Sequence, residues 1–443
     1  MEIKSNVTAR SVAWQILNTL EIRRAWAEDV LRDALREHPL SAPDARLVRE
    51  LVFGTVKGRL FLDYVLQTFF TAGRPPRKVM NLLRLGAYQL LLLSKVPPHA
   101  AVHATVEAAK GGLDARQTAF VNAVLRALGR KGAPPLPPAD PDPVAYLSVL
   151  HSMPVWLVKR WVGRFGREAA EALMQTANEA PPLVARVNCL KGTRDQALVW
   201  LQDKQIEAEP EAAPQALRLS GTGDPGRMPG VADGWFYFQD AASQLVGYLV
   251  DPVPGSVCLD LCAAPGGKAT HLAELMGDRG EVLALDRAAD KLKKIEENAR
   301  RLGLGCLRTG TVCPTGFLAD RVLVDAPCSG LGTLRRHAET RWRVTESDLS
   351  RLGQEQGALL EQAAGHVKLG GHLIYATCTT EPEENEDVVG AFLTRHQEFS
   401  LRPGPGSSGW PRPEFWGEDG FFRTLPGHPE MDGMFAARLL RTA

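Results

Sequence analysis

Between Ala9 and Lys131 apolar residues recur every three or four positions: Val12, Ile16, Leu17 and Leu20; Leu47, Leu51 and Val52; Leu82, Leu83, Tyr88 and Leu91; Phe120, Val121, Val124, Leu125 and Leu128. That spacing puts each set on one face of a helix and predicts an all-α bundle. Gly73, Pro75 and Pro76 break the pattern, and Arg74, Arg77 and Lys78 make the break a basic loop. In GAPPLPPADPDP, 132–143, proline stands at nearly every second position. No helix or central strand tolerates this, so a semi-rigid linker is expected. An amphipathic helix follows Pro154, with Trp156, Leu157 and Trp161 on its buried side and Lys159, Arg160, Arg164 and Arg167 on the other. LVARVNCL, TRDQALVWLQDKQ and ALRLSG then read as strand, helix and strand of a small ferredoxin-like α+β unit.

From Trp235 an aromatic strand end and a helix lead into Val257, where the pattern changes again. Four short runs rich in Val, Leu and Ile (VCLDLC, EVLALD, RVLVD and GHLIYAT) each stop abruptly at Asp, Gly, Pro or Cys and are separated by helical stretches. This is the pattern of buried parallel strands in an α/β, Rossmann-like sheet. In such sheets the ligand crevice lies outside the carboxyl ends of the strands. The expected organisation is an all-α domain over 1–131, a linker over 132–143, a helical and ferredoxin-like α+β subdomain over 144–234, and the α/β domain over 235–443.

Composition adds constraints. A chain of 443 residues with 44% hydrophobic content buries more than one core. No apolar run approaches the roughly 20 residues that cross a bilayer, and the opening MEIKSNVTAR lacks a signal-peptide core. A cytoplasmic protein with no membrane partner is expected. The 7 cysteines include no CxxC pair, and the histidines show no ligand spacing, so free thiols and no metal are expected. The net charge of +1 hides an asymmetry: 1–131 holds 20 Lys and Arg against 11 Asp and Glu, or +9, leaving −8 for the remainder. A basic amino-terminal third suits a polyanionic partner, although a solvated helix surface explains it equally well.

Candidate chemistry sits at the strand ends. After VCLDLC the turn AAPGGK keeps Ala263, Ala264, Gly266 and Gly267 small enough for a ligand to approach the backbone at a helix start. One helix later Asp286 ends EVLALD, where a carboxylate can accept from both hydroxyls of a ribose. Neither G-x-G-x-x-G nor GxxxxGK[ST] is present, so the turn suits an adenosine compound with no required phosphate, S-adenosylmethionine. A tight turn with no ligand would explain the glycines but not Asp286. Two further strands end in Asp325-Ala326-Pro327-Cys328 and Thr377-Cys378. A lone cysteine there is usually a small core residue, but two facing one pocket, one beside a carboxylate, point to thiol chemistry. Thr380-x-x-Glu383 matches a capping box, which predicts a helix start just after Cys378, a position that favours thiolate.

The segments LDLCAAPGGKAT, VDAPCSGLGTLRRH and YATCTTEPEENE resemble the NOL1/NOP2/Sun family of RNA 5-methylcytosine methyltransferases, over nearly the whole chain. The front third resembles the RNA-binding NusB fold through Ala9, Ala13, Ile16 and Leu17, then Leu51, Val52, Gly54 and Thr55, then Asn81, Leu82, Arg84, Gly86, Tyr88 and Gln89, and Phe120, Val121, Asn122, Ala123, Leu125 and Arg126. Together these imply the bacterial branch acting on small-subunit (16S) ribosomal RNA at cytosine C5 with S-adenosylmethionine as a class I methyltransferase; a monomer is expected. The resemblance implies that Cys378 attacks cytosine C6, Cys328 assists release, Asp325 holds the cytosine edge or the cofactor, and Lys268 reaches the base or the methionine carboxylate. Cys262, Ala263, Ala264, Pro265, Gly266, Gly267, Lys268, Asp286 and Asp325 are the implied cofactor residues. Arg335, Arg336, His337, Arg341, Trp342 and Arg343 form a basic and aromatic stretch placed for the RNA backbone, although a solvated loop with one core tryptophan explains each of them equally well. The family's acidic adenine contact after the third strand is missing, leaving Thr309, Thr311 or backbone to replace it. Another RNA such as transfer RNA, or a non-catalytic RNA-binding or ribosome-assembly role, are the alternatives.

Overall fold

The structure, a computed structural model, describes residues 7–23, 25–71, 73–221, 225–404, 407, 409, 411–427 and 430–443. The chain forms two compact units, Met1–Glu179 with Leu334–Arg343, and Ala180–Thr333 with Val344–Ala443. No described helix is long and apolar enough to cross a membrane.

The first unit is helical: α1 (Ala9–Ile22), α2 (Ala27–Glu37), α3 (Ala42–Lys57), α4 (Arg59–Gln67), α5 (Arg77–Leu91), α6 (Pro98–Ala109), α7 (Ala115–Lys131), α8 (Pro143–His151), α9 (Val155–Phe165) and α10 (Arg167–Asn178). Thr8 caps α1 in a reciprocal box with Ser11, and the apolar face that follows buries Val12, Ile16, Leu17 and Leu20. Close packing requires glycine at position 54, where a Cβ would lie 2.0 Å from the Tyr88 ring. No helix or strand forms over 132–142. Helices α8 to α10 belong to this unit, so the 144–234 stretch is divided between the two.

Leu334–Arg343, the stretch expected to face RNA, instead packs into the helical unit. Ala338 is fully buried in its core and Trp342 packs against the same cluster, its Nε1 donating to Val56 O at 2.7 Å. Arg341, with no exposed surface, donates to Asn178 Oδ1 at 2.7 Å and to Ala177 O at 2.8 Å. Arg343 donates to Ala25 O at 2.8 Å. Carbonyls at the end of α10 and in the loop between α1 and α2 thus take guanidinium donors that the sequence pattern offered to phosphates.

The second unit contains a four-stranded antiparallel sheet of β1 (Leu183–Val187), β2 (Glu207–Pro210), β3 (Ala216–Ser220) and β4 (Phe236–Phe238), ordered β2-β3-β1-β4, with α11 (Arg194–Asp203). Then follow α12 (Ala241–Val250), β5 (Val257–Asp260), α13 (Gly267–Leu275), β6 (Glu281–Leu285), α14 (Ala289–Leu302), β7 (Leu307–Gly310) and β8 (Ala319–Asp325). After α15 (Thr340–Arg343), which lies in the first unit, come α16 (Glu346–Ala364), β9 (Val367–Thr377), α17 (Glu386–Arg395), β10 (Phe399–Leu401), β11 (Phe422–Thr424) and β12 (Met434–Arg441). The main sheet runs β10-β12-β9-β8-β5-β6-β7, parallel from β9 to β7, with β12 antiparallel to β9 and β10 and β11 paired to β12. After β5 the chain adds β6 and β7 on one side, then crosses to β8 and β9 on the other. The strand order therefore switches between β5 and β8, which is where a crevice opens at the carboxyl ends.

Candidate active site

Asp260 and Asp325 end the two strands that flank this switch. Asp260 is fully buried; one carboxylate oxygen accepts from Cys262 N at 3.2 Å, and the other has no partner among the described residues. Burial, then the neighbouring Asp325 charge, raises its pKa from the usual 3.8 to about 7. Sequence reasoning did not single out Asp260. The signal available was a carboxylate inside an otherwise apolar central strand, which must have a reason to be buried.

The turn after β5 is shaped by glycine. Gly266 adopts φ +104, a left-handed conformation, and a Cβ there would stand 3.2 Å from Ile295 Cγ2. Gly267 opens α13, and a Cβ on it would lie 3.3 Å from the Tyr237 ring. Ala263 N donates to Leu285 O at 2.8 Å, tying the turn to β6, while Cys262 is half-buried and its thiol is pushed up to about 12 by burial and the surrounding carboxylates. Ala264 and Pro265 complete the loop between them.

A second unforeseen residue anchors this loop. Arg186 on β1 is fully buried and donates to Gly267 O at 2.6 Å, Thr270 Oγ1 at 3.0 Å and both carboxylate oxygens of Glu274 at 2.8 and 2.9 Å, with Tyr237 under its guanidinium. The first turn of α13 is thereby fixed from the antiparallel sheet. An arginine between apolar neighbours in LVARV was the only hint.

Asp286 follows β6 and accepts from Ala288 N at 2.9 Å, holding its carboxylate at the strand end. Thr309, a candidate adenine contact, instead donates to Glu296 Oε1 at 2.6 Å; Thr311 lies beyond the end of β7 and is exposed. The residues present fit a nucleoside-bearing ligand: a helix amino-terminus without side-chain bulk, an orphaned buried carboxylate oxygen on Asp260, and Asp286 one strand away.

Lys268 extends from α13 to Asp325, with Nζ donating to Oδ2 at 2.6 Å. Burial works to lower the Lys268 pKa, but the Asp325 carboxylate outweighs it and the net shift is upward. Three residues beyond Asp325, Cys328 Sγ lies 3.2 Å from Cys378 Sγ, and Cys378 N donates to Cys328 Sγ at 3.3 Å. The hydrogen bond between the sulfurs and burial push the Cys328 thiol well above its ordinary range. The structure thus brings Lys268, Asp325, Cys328 and Cys378 into one cluster at adjoining strand ends.

The expected helix start after Cys378 does not form. Thr380 Oγ1 donates to Glu381 Oε1, a 3-10 turn covers Pro382–Glu384, and α17 begins only at Glu386. The acidic run serves the cysteine loops instead. Glu384 Oε1 accepts from Ser329 N at 2.8 Å and Gln356 Nε2 at 3.0 Å, and Gln356 also donates to Pro327 O at 2.9 Å. Asn385 accepts from Thr377 Oγ1 at 2.5 Å and donates to Thr379 O at 3.0 Å, so side chains from 384 and 385 brace both sides of the sulfur pair. Gly332 N donates to Cys378 O at 3.0 Å.

Comparison with known proteins adds the following. Residues 247–440 match the family model of the 16S rRNA methyltransferase RsmB/F, 7–130 that of the NusB family, and 153–224 that of the RsmF/B-like ferredoxin-like domain. The chain is similar to a probable ribosomal RNA small subunit methyltransferase B of Synechocystis sp., 37% identical with 98% of this chain and 99% of the relative covered. It is 33% identical to the ribosomal RNA small subunit methyltransferase B of Cronobacter sakazakii, covering 99% of this chain and 100% of the relative. Among solved structures it resembles the crystal structure of PH0851, with TM-score 0.82, 26% identity and coverage of 98% of this chain and 99% of the other.

Proposed function

The chain belongs to the 16S rRNA methyltransferase RsmB/F family and is a ribosomal RNA methyltransferase, and from this premise we propose that it methylates C5 of a cytosine in small-subunit ribosomal RNA with Cys378 as the nucleophile. The observation that carries the reading is the pair of sulfurs 3.2 Å apart at adjoining strand ends, beside the Lys268–Asp325 ion pair. The cofactor is S-adenosylmethionine, which when bound supplies an electrophilic methyl group. Asp260, Cys262 to Lys268 and Asp286 would hold it, and Asp325 borders the same site.

Cytosine C5 is a poor nucleophile in the intact ring. Attack of the Cys378 thiolate on C6 forms a C–S bond and moves the C5–C6 π electrons onto C5, which then accepts the methyl group. The ring regains aromaticity when Cys328, having passed its own proton to solvent, takes the C5 proton as thiolate and the C6–S bond breaks, returning its electron pair to the Cys378 sulfur. The upward shift of the Cys328 thiol makes its thiolate the stronger base for that proton, and its sulfur lies 3.2 Å from the Cys378 sulfur that departs. Asp325, held by the Lys268 ammonium at 2.6 Å, accepts from the exocyclic amine of cytosine and fixes the ring edge. The base must leave its stack to reach the sulfur, at a cost of a few kcal/mol that is smallest in a loop or irregular helix. The enzyme works in the cytoplasm as a monomer.

The test is which cysteine traps the base. Cys378→Ala abolishes both methylation and the covalent RNA adduct on a denaturing gel, whereas Cys328→Ala accumulates the adduct. An adduct that persists in Cys378→Ala overturns the assignment. Bisulfite mapping of ribosomal and transfer RNA from cells with and without the protein identifies the substrate.

A further inference from the structure

The helical unit contains a cavity of about 530 Å³ that none of the chemistry above uses, and Leu334–Arg343 supplies part of its wall. Its volume suits a nucleotide-sized ligand. Among the described residues, five arginines but only two glutamates line it. One carboxylate, Glu21, is shared by Arg84 at 2.9 Å, Arg59 at 3.6 Å and Arg77 at 3.9 Å, and Arg84 also holds Asp63 at 2.6 Å. For carboxylate, Arg59 and Arg77 therefore have only long contacts to a partner that Arg84 already engages, and Arg59 also lies over the Trp342 ring, 5.6 Å from its centroid. Burial, and then repulsion from Arg84, lowers the Arg59 pKa, as expected of an under-compensated cation.

Two buried polar atoms on the cavity wall have no hydrogen-bond partner among the described residues. They are Thr55 Oγ1, on a residue 2% exposed, and Glu339 Oε2, on a residue 4% exposed. The other Glu339 oxygen accepts from Ala27 N at 2.7 Å, so the side chain is anchored with one acceptor left over. Buried polar groups are normally paired, and orphans mark places where a ligand completes the set. A bare anion would satisfy the arginines but be repelled by Glu339. A ligand that carries both an anion and N–H or O–H donors satisfies both, and a ribonucleotide unit has a phosphate, base N–H groups and a 2′-hydroxyl.

We propose that this cavity receives one nucleotide of the RNA substrate, its phosphate on Arg59 and Arg77 and a ribose hydroxyl or base N–H on Glu339 Oε2 and Thr55 Oγ1. Only the identity of the RNA rests on the methyltransferase reading.

The test uses the full chain and a small-subunit ribosomal RNA fragment, by equilibrium binding without S-adenosylmethionine, so that no turnover is needed. Inorganic phosphate and an unrelated RNA serve as comparison probes, and circular dichroism confirms that each variant is folded. Arg59→Ala with Arg77→Ala should weaken binding of either RNA about tenfold and reduce the slope of log K against log salt by about 1 to 2. Glu339→Gln keeps the shape but replaces the orphan acceptor with a donor, so RNA binding should weaken with the salt slope unchanged. Unchanged RNA affinity in both variants overturns the proposal, as does phosphate binding that Glu339→Gln strengthens while RNA is unaffected. If the chain favours neither RNA yet the variants still weaken both, the cavity assignment stands and the assigned substrate fails.

Discussion

Replacing Asp260 with asparagine tests the electrostatics of the switch point directly. In the folded chain the Asp260 carboxyl is raised from 3.8 to about 7, so between those values the native state holds a proton that the unfolded chain has released. Stability from this group is complete below pH 3.8 and is lost as pH rises to 7. At about 1.4 kcal/mol per pH unit the whole loss is about 4 kcal/mol, of which about 3 falls between pH 5 and pH 8. The amide side chain of the Asp260→Asn variant carries no charge and escapes it. Hydrogen exchange of the β5 peptide over 257–261, corrected for intrinsic rates and read by mass spectrometry, measures the opening free energy of the strand locally. The wild-type value should fall by about 3 kcal/mol between pH 5 and pH 8, and the Asp260→Asn value should stay level. Parallel profiles for the two proteins would show that Asp260 is solvated or otherwise compensated and would refute the reasoning. The same substitution removes the orphaned acceptor, so weaker S-adenosylmethionine binding should accompany the stability gain at pH 8.

Arg186→Met leaves Glu274 buried without its cation and should cost about 3–5 kcal/mol in the second unit by thermal or chemical denaturation, with Arg186→Met/Glu274→Leu recovering most of the loss. Gly332→Ala places a Cβ 2.2 Å from Gly433 O and 2.9 Å from Cys378 O, so the cysteine loop must move; methyl transfer should fall at least tenfold at temperatures where the variant is still fully folded, although its melting temperature also drops. Arg341→Met abandons Ala177 O and Asn178 Oδ1 and should destabilise the helical unit by about 2–3 kcal/mol, read by exchange at the end of α10.

The sequence made the parallel strands readable because their apolar runs end where chemistry begins. Asp286, Asp325, Cys328 and Cys378 each stand at or just beyond such an end, which is why their positions could be inferred. Arg186 and Glu384 could not. Their partners, Gly267 and Ser329, are 81 and 55 residues away, and no local periodicity encodes a pairing at that distance. The capping signature at Thr380 failed for a related reason: Glu384 and Asn385 are drawn to the Ser329 and Thr377 loops, and the helix starts only after these side chains are committed. The stretch holding Arg341 and Arg343 misled most, since exposed-looking arginines can satisfy themselves on backbone carbonyls as readily as on phosphates. Strand β12, eight residues that complete the sheet antiparallel to β9, was not anticipated, since MFAARLLR has neither a continuous β-branched run nor strict alternation.

Membership of Leu334–Arg343 in the helical unit also bears on biosynthesis. A ribosome extends the chain from its amino-terminus, so helices α1 to α10 emerge long before the tryptophan and arginine that seal them. Until position 343 clears the exit tunnel, the slot for Ala338 stays vacant and the carbonyls of Ala177 and Val56 must be hydrated. By then β5 to β8 have already been synthesised. The nascent protein therefore cannot finish its first unit before most of its second has been made, and a fragment cut at the linker would keep an open seam that the intact chain closes.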